Sequence, residues 1–138
     1  MYIDINSDVN TDIGEVDLST SGVANDIYID LGETGYPLGA GQASMPTIHV
    51  AAGDDYESND SYIYVCYTDE EGSVDTSNRI LDIRLCDANK DGVIFSGELP
   101  TVPEVTARYL FFYVNGGTGT VKINVVHEAP YTYVYPAR

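Results

Sequence analysis

Apolar residues recur at every second position along much of this chain, a period that fits strands and not helices. Asp26-Ile27-Tyr28-Ile29-Asp30-Leu31 sets Ile27, Ile29 and Leu31 on one face. Thr47-Ile48-His49-Val50 continues the style, and residues 61–67 are aromatic and β-branched, apolar on both faces. Residues 79–85, 105–114 and 120–126 read as further strands, and Tyr131-Thr132-Tyr133-Val134-Tyr135 closes the series between Pro130 and Pro136. Val, Ile, Tyr and Thr suit a pleated, half-buried surface. Gly- and Asp-rich turns separate the runs at the spacing of an all-β protein, and no amphipathic helix is evident. About eight short strands in 138 residues predict an all-β, single-domain antiparallel β-sandwich, most simply a jelly roll. Within that one domain, residues 1–138, the polar segment 6–25 reads as partly extended and loosely held.

Charge narrows the partners. The formal net charge is −16, and all of it lies in residues 1–78, which hold no Lys or Arg. In residues 79–138, six acids balance six bases. A field of this sign repels phosphate backbones and anionic membrane surfaces, so neither nucleic acid nor membrane is an expected partner. The apolar runs are too short to span a bilayer, and the opening residues lack the pattern of a secretory signal. The uneven charge has a plain reading, a solvated acidic face. It has a functional one as well: an acidic side in water and a neutral, aromatic side docked on something.

Little in the chain points to catalysis. His49 and His127 sit on strands, no nucleophile-elbow or phosphate-cradling loop is present, and carboxylates are too numerous to single out a pair. Cys66 and Cys86 lie in apolar alternating stretches and are expected reduced and buried, with no zinc-type spacing. The sharpest motif is residues 87–98, which match the calcium loop D-x-[DN]-x-[DN]-G-x₅-E at every fixed position. There Asp87, Asn89, Asp91, the Val93 carbonyl and Glu98 would supply oxygens around calcium, with Gly92 allowing the turn. The flanking strand and Pro100 favour a different reading, a β-hairpin whose Asn-Lys-Asp-Gly turn resembles the motif.

Tyrosine is the other unusual signal: twelve Tyr and no Trp. Tyr131, Tyr133 and Tyr135 share one face of a strand. They read either as part of the chain's own core or as a partner-binding strip, since Tyr brings large area at little entropy cost.

Four places give the chain a family likeness. It opens Met1-Tyr2 followed by an acid; Ile29-Asp30-Leu31-Gly32 leads through Gly39-Ala40-Gly41 into a strand; residues 107–113 form an Arg-Tyr-Leu strand before a Gly/Thr turn and a valine-rich strand; and the chain ends Tyr135-Pro136. In these places the sequence resembles the small jelly-roll capsid cement, or decoration, proteins of tailed bacteriophages. The acidic loops 53–60 and 69–75, the 87–98 loop, and Phe111 in place of a polar or basic residue depart from the family pattern. The resemblance implies a non-enzymatic virion protein, made in the host cytoplasm and added to the outer capsid surface. It implies a homodimer or higher oligomer that bridges major capsid protein subunits. Alternatives are a carbohydrate-binding or adhesin module, possible with calcium, and a tail subunit; an enzyme comes last.

Overall fold

The computed structural model describes residues 2–4, 9–30, 36–37, 45–58, 60–69, 76–100 and 106–127, and among these there is no helix. In chain order the strands are β1 (Tyr2–Asp4), β2 (Val9–Asp17), β3 (Gly22–Asp30), β4 (Tyr36–Pro37), β5 (Thr47–Ala52), β6 (Tyr62–Thr68), β7 (Arg79–Arg84), β8 (Val93–Glu98), β9 (Thr106–Ala107), β10 (Tyr109–Val114) and β11 (Thr120–His127). Eight of them build two antiparallel four-stranded sheets, ordered β2-β11-β5-β8 and β3-β10-β6-β7. Taken in sequence, the first of the eight pairs with the last (β2 with β11) and the second with the seventh (β3 with β10). The third pairs with the sixth (β5 with β8) and the fourth with the fifth (β6 with β7). This nesting is one long hairpin rolled into two sheets, and the β11–β5 and β10–β6 pairings close the roll. The sandwich is therefore a jelly roll. Short additions decorate it: β1 joins the edge of β3 in parallel, and β4 pairs with β9.

The period-two stripes meet between the sheets. Val121, Ile123 and Val125 of β11 and Ile48 and Val50 of β5 face Leu110, Phe112 and Val114 of β10 and Ile63 and Val65 of β6, all in one buried cluster. Full burial of each such side chain stabilises by roughly 1.5–3 kcal/mol, which is the driving force for pressing the sheets together.

Of the segment 6–25, residues 9–25 are described, and they are extended as expected but tied into the sandwich. Val9, Ile13 and Val16 of β2, and Leu18 after it, are core residues. Their spacing departs from two because β2 carries a bulge: Glu15 faces Lys122 and Asp12 faces Asn124, so Ile13 and Gly14 together oppose Ile123. Gly14 adopts φ +88, the backbone that such a bulge takes. Asn25 of β3 donates from Nδ2 to the carbonyls of Ile13 (2.9 Å) and Glu15 (3.0 Å), which ties the bulge to the other sheet.

The turn before β11 locks onto the loop after β5. Gly53 N–H donates to the Thr120 carbonyl at 2.8 Å and Thr120 N–H to the Asp54 carbonyl at 3.1 Å. Gly119, at φ +85, lies so close beneath this loop that a Cβ would strike the Asp55 carbonyl. Gly119→Ala is expected to lose about 1–2 kcal/mol from the left-handed backbone alone, and more from that contact. Gly116, at φ +101 with open space around it, gives the backbone cost by itself. Urea unfolding should rank Gly119→Ala clearly below Gly116→Ala; equal losses would mean that the loop contact does not constrain the fold.

Candidate docking surface

On β10 the residues that alternate with the core row are Tyr109, Phe111 and Tyr113, and they stand on the outer side of the β3-β10-β6-β7 sheet. The same alternation puts Tyr62, Tyr64 and Cys66 of β6 and Tyr28 of β3 beside them, in register: Phe111 pairs with Tyr28 and with Cys66, and Tyr113 with Tyr64. The result is a second apolar cluster, separate from the core. Tyr28, Cys66, Tyr109 and Phe111 are buried in it, with Val23, Tyr64 and Tyr113 packed against them. Tyr28 meets the Tyr109 ring edge-on at 6.0 Å and the Phe111 ring at 5.7 Å. Arg108 places its guanidinium 5.2 Å from the Tyr109 centroid and its Nε 3.5 Å from Asp30.

The other end of this face is accessible. Tyr62, Tyr64 and Tyr113 are half-buried and form a row of near-parallel rings, with centroids 6.2 and 6.5 Å apart. Cross-strand register makes the Tyr64–Tyr113 contact, and the i, i+2 spacing makes the Tyr62–Tyr64 one. The Arg79 guanidinium sits 4.3 Å from the Tyr64 centroid, a cation–π contact, while its Nε lies 3.6 Å from Asp82. Asn115 Nδ2 donates to the Tyr64 hydroxyl at 3.1 Å. Arg84, exposed at the rim, approaches Asp60 at 3.8 Å.

The aromatic side is balanced in charge, with Asp82, Asp60 and Asp30 beside its arginines, and the rest of the described surface is more acidic. The outer side of the other sheet exposes Asp12, Glu15, Asp17 and Glu98 against one base, Lys122, and the loop after β5 exposes Asp54, Asp55 and Glu57. Arg79, Arg84 and Arg108, three of the five bases among the described residues, belong to the aromatic side. Rigid aromatic rings with guanidinium groups beside them and few unpaired carboxylates are the composition that protein interfaces favour.

The sequence-predicted sites fare differently. Tyr131, Tyr133 and Tyr135 lie outside the described residues. The 87–98 segment is a tight turn followed by a strand and not the expected β-hairpin, because β7 pairs with β6 while β8 pairs with β5 in the other sheet. Asn89 Oδ1 accepts the N–H groups of Asp91 (2.8 Å) and Val93 (3.0 Å), and Asn89 N–H donates to the Val93 carbonyl at 2.9 Å. β8 then carries Glu98 away from the turn, about 16 Å from Val93 at the rise of an extended strand. There the Glu98 carboxylate accepts the Met45 N–H at 3.2 Å. Glu98 is thus set apart from the turn that holds Asn89, Asp91 and Val93, and no group of three or more His, Cys, Asp or Glu is gathered for a metal among the described residues. Calcium is expected to leave the melting temperature unchanged. Asn89→Ala is expected to lower stability by about 1 kcal/mol through the lost turn hydrogen bonds. A calcium-dependent rise in melting temperature would contradict the first expectation, and an Asn89→Ala variant as stable as the unmodified chain would contradict the second.

Cys66 and Cys86 form no disulfide. Cys66 is buried as expected, though on the outer side of its sheet; Cys86 is only half-buried, its thiol directed at the Ile94 carbonyl 3.9 Å away. Beside it is an open cleft of about 640 Å³, lined by Ala52, Tyr56, Glu57, Ser58, Asp87 and Ala88. The Tyr56 hydroxyl donates to the Cys86 carbonyl at 2.6 Å. Burial, helped by the neighbouring Cys86 and Asp87, pushes this phenol up to about 12, so it stays protonated at neutral pH. His127 is buried and His49 half-buried, on neighbouring strands.

The tyrosine–arginine row escaped the sequence reading. Its signal was present in the two-faced apolar runs of residues 61–67 and 105–114, because a strand apolar on both faces needs a cover on both. The pairing of β6 with β7, which brings Arg79 over Tyr64, joins residues far apart in the chain. No family model, no curated protein and no solved structure matches this chain.

Proposed function

We propose that this chain is a non-catalytic structural protein of a tailed-bacteriophage virion, one that binds the outside of the capsid and bridges major capsid protein subunits. The observation that carries the reading is the two-sided surface of the jelly roll. One sheet presents aromatic rings and arginines, while the other outer face and the loop after β5 are acidic. Docking through the aromatic side desolvates few unpaired carboxylates and leaves the acidic side in water, where like charge keeps particles apart. The family likeness of the sequence points the same way. A small rigid domain held at two neighbouring subunits gains effective concentration at the second contact, so modest contacts sum to a durable clamp. Heating undecorated shells with and without the purified chain tests the bridging: decorated shells should rupture at a higher temperature, and an unchanged rupture temperature would contradict it.

A second reading, a carbohydrate-binding or adhesin module, draws on the same row of Tyr62, Tyr64 and Tyr113, since sugar rings stack on aromatic faces. It predicts saccharide affinity in solution and no effect on shells.

A further inference from the structure

The balanced edge of the aromatic sheet is complementary to itself, and we propose that β7 pairs with β7 of a second copy of this chain, antiparallel and with Ile83 opposite Ile83. β7 closes its sheet: β6 lies on one side, and no other described strand lies beyond it. Leu85 N–H donates to the Ser61 carbonyl at 3.0 Å, and Ile83 stands opposite Ile63 in the same ladder. Alternation then turns the main-chain N–H and C=O groups of Asp82 and Arg84 away from β6, toward the open edge. The Arg84 carbonyl accepts the Cys86 N–H at 2.9 Å and keeps a lone pair for a second donor. Edge groups of this kind are a template for another strand.

Charge selects both the strand and the register. Two chains at −16 repel at most approaches. The edge strand β2 exposes Asp12, Glu15 and Asp17 and has no base of its own, so two copies of it repel. β7 instead carries Arg79, Asp82 and Arg84, with Asp60 beside Arg84. Asp82 and Arg84 share the outer face, next to Tyr64 and Tyr62. With Ile83 opposite its own copy, each Asp82 faces the second copy's Arg84, and each such pair exchanges both main-chain hydrogen bonds. A slip to either neighbouring register that uses the same edge groups sets Asp82 against Asp82 or Arg84 against Arg84, and like charges directly opposite destabilise. The present Arg79–Asp82 and Arg84–Asp60 approaches, at 3.6 and 3.8 Å, involve exposed side chains, so re-pairing them costs the fold little. An antiparallel pair keeps both aromatic sides on one face of a continuous sheet. Two rows of Tyr62, Tyr64 and Tyr113 then point the same way, as a clamp over two neighbouring subunits requires. The pairing itself does not depend on the capsid reading.

Sedimentation velocity of the purified chain, from micromolar to millimolar concentration and without shells, tests the pairing. The unmodified chain should pass from monomer to dimer over that range, as a small edge contact predicts. Asp82→Arg and Arg84→Asp each set like charges opposite one another at both symmetry-related positions, and each should weaken the dimer about tenfold. The variant that combines Asp82→Arg with Arg84→Asp restores opposite charges and should recover the dimer; circular dichroism and melting first confirm that the variants fold alike. Amide exchange gives a reading that needs no variant: the Asp82 and Arg84 N–H groups should exchange more slowly as the unmodified chain is concentrated. A chain that stays monomeric throughout, or a combined variant that pairs no better than the single ones, would overturn the inference. So would exchange at Asp82 and Arg84 that ignores concentration. The shell experiments read decoration separately, so either idea can fail while the other stands.

Discussion

Phe112→Ala is expected to lower the unfolding free energy by about 3–5 kcal/mol, more than any single substitution on the surface. Phe112 is wholly buried, at the centre of the β3-β10-β6-β7 sheet and on the side that faces the other sheet. Its cross-strand partner Val65 and its neighbours on β10, Leu110 and Val114, are fixed by the strand ladders and collapse poorly into the space left behind. The loss is therefore the transfer of the ring plus the cavity. Urea unfolding should show the midpoint fall with the denaturant slope unchanged. A loss under about 1 kcal/mol would mean that the sheets do not pack on this residue and would undo the sandwich described above.

The second large effect is on binding. Tyr64→Ala combined with Tyr113→Ala is expected to weaken retention on shells by about a thousandfold. Interface anchors of this kind each contribute roughly 2 kcal/mol or more when truncated, and ~4 kcal/mol corresponds to that factor. The two rings touch, with centroids 6.5 Å apart, so their effects couple and the double variant is more informative than the sum of the singles. Loss of the aromatic pair itself costs about 0.5–1.5 kcal/mol beyond area burial, which the core tolerates. Lys122→Ala, on the opposite sheet, is the control and should bind as the unmodified chain does. If the folded double variant is retained undiminished, the tyrosine row has no part in docking. The pair Tyr133→Ala and Tyr135→Ala would then test the terminal strip, with a selective loss of retention expected there.

How far the sequence reaches can be seen strand by strand. β11 was legible because Val121, Ile123 and Val125 alternate without interruption, and β6, β7 and β10 because they are short, dense runs of β-branched, leucine and aromatic residues. β2 was not, because the Gly14 bulge breaks the period and leaves Val9, Ile13, Val16 and Leu18 looking like scattered apolar residues in a polar stretch. β8 was legible only as the arm of a hairpin; its pairing with β5 in the other sheet, and not with β7, is nowhere written in Val93 to Glu98. The nested strand order lies beyond alternation altogether. A period of two says which face a residue takes and nothing about which strand lies next to it. For the same reason Tyr64, Tyr113 and Arg79 could not be joined from sequence. Their meeting depends on β6 lying between β10 and β7.

Co-sedimentation of the purified chain with undecorated tailed-phage capsid shells tests the proposed decoration role most directly. Saturable binding to the outer surface is predicted, with a fixed number of copies per capsid subunit, lost in the Tyr64→Ala and Tyr113→Ala double variant and kept in Lys122→Ala. A folded chain that stays in the supernatant at every concentration, or that pellets equally with and without the two tyrosines, would contradict it.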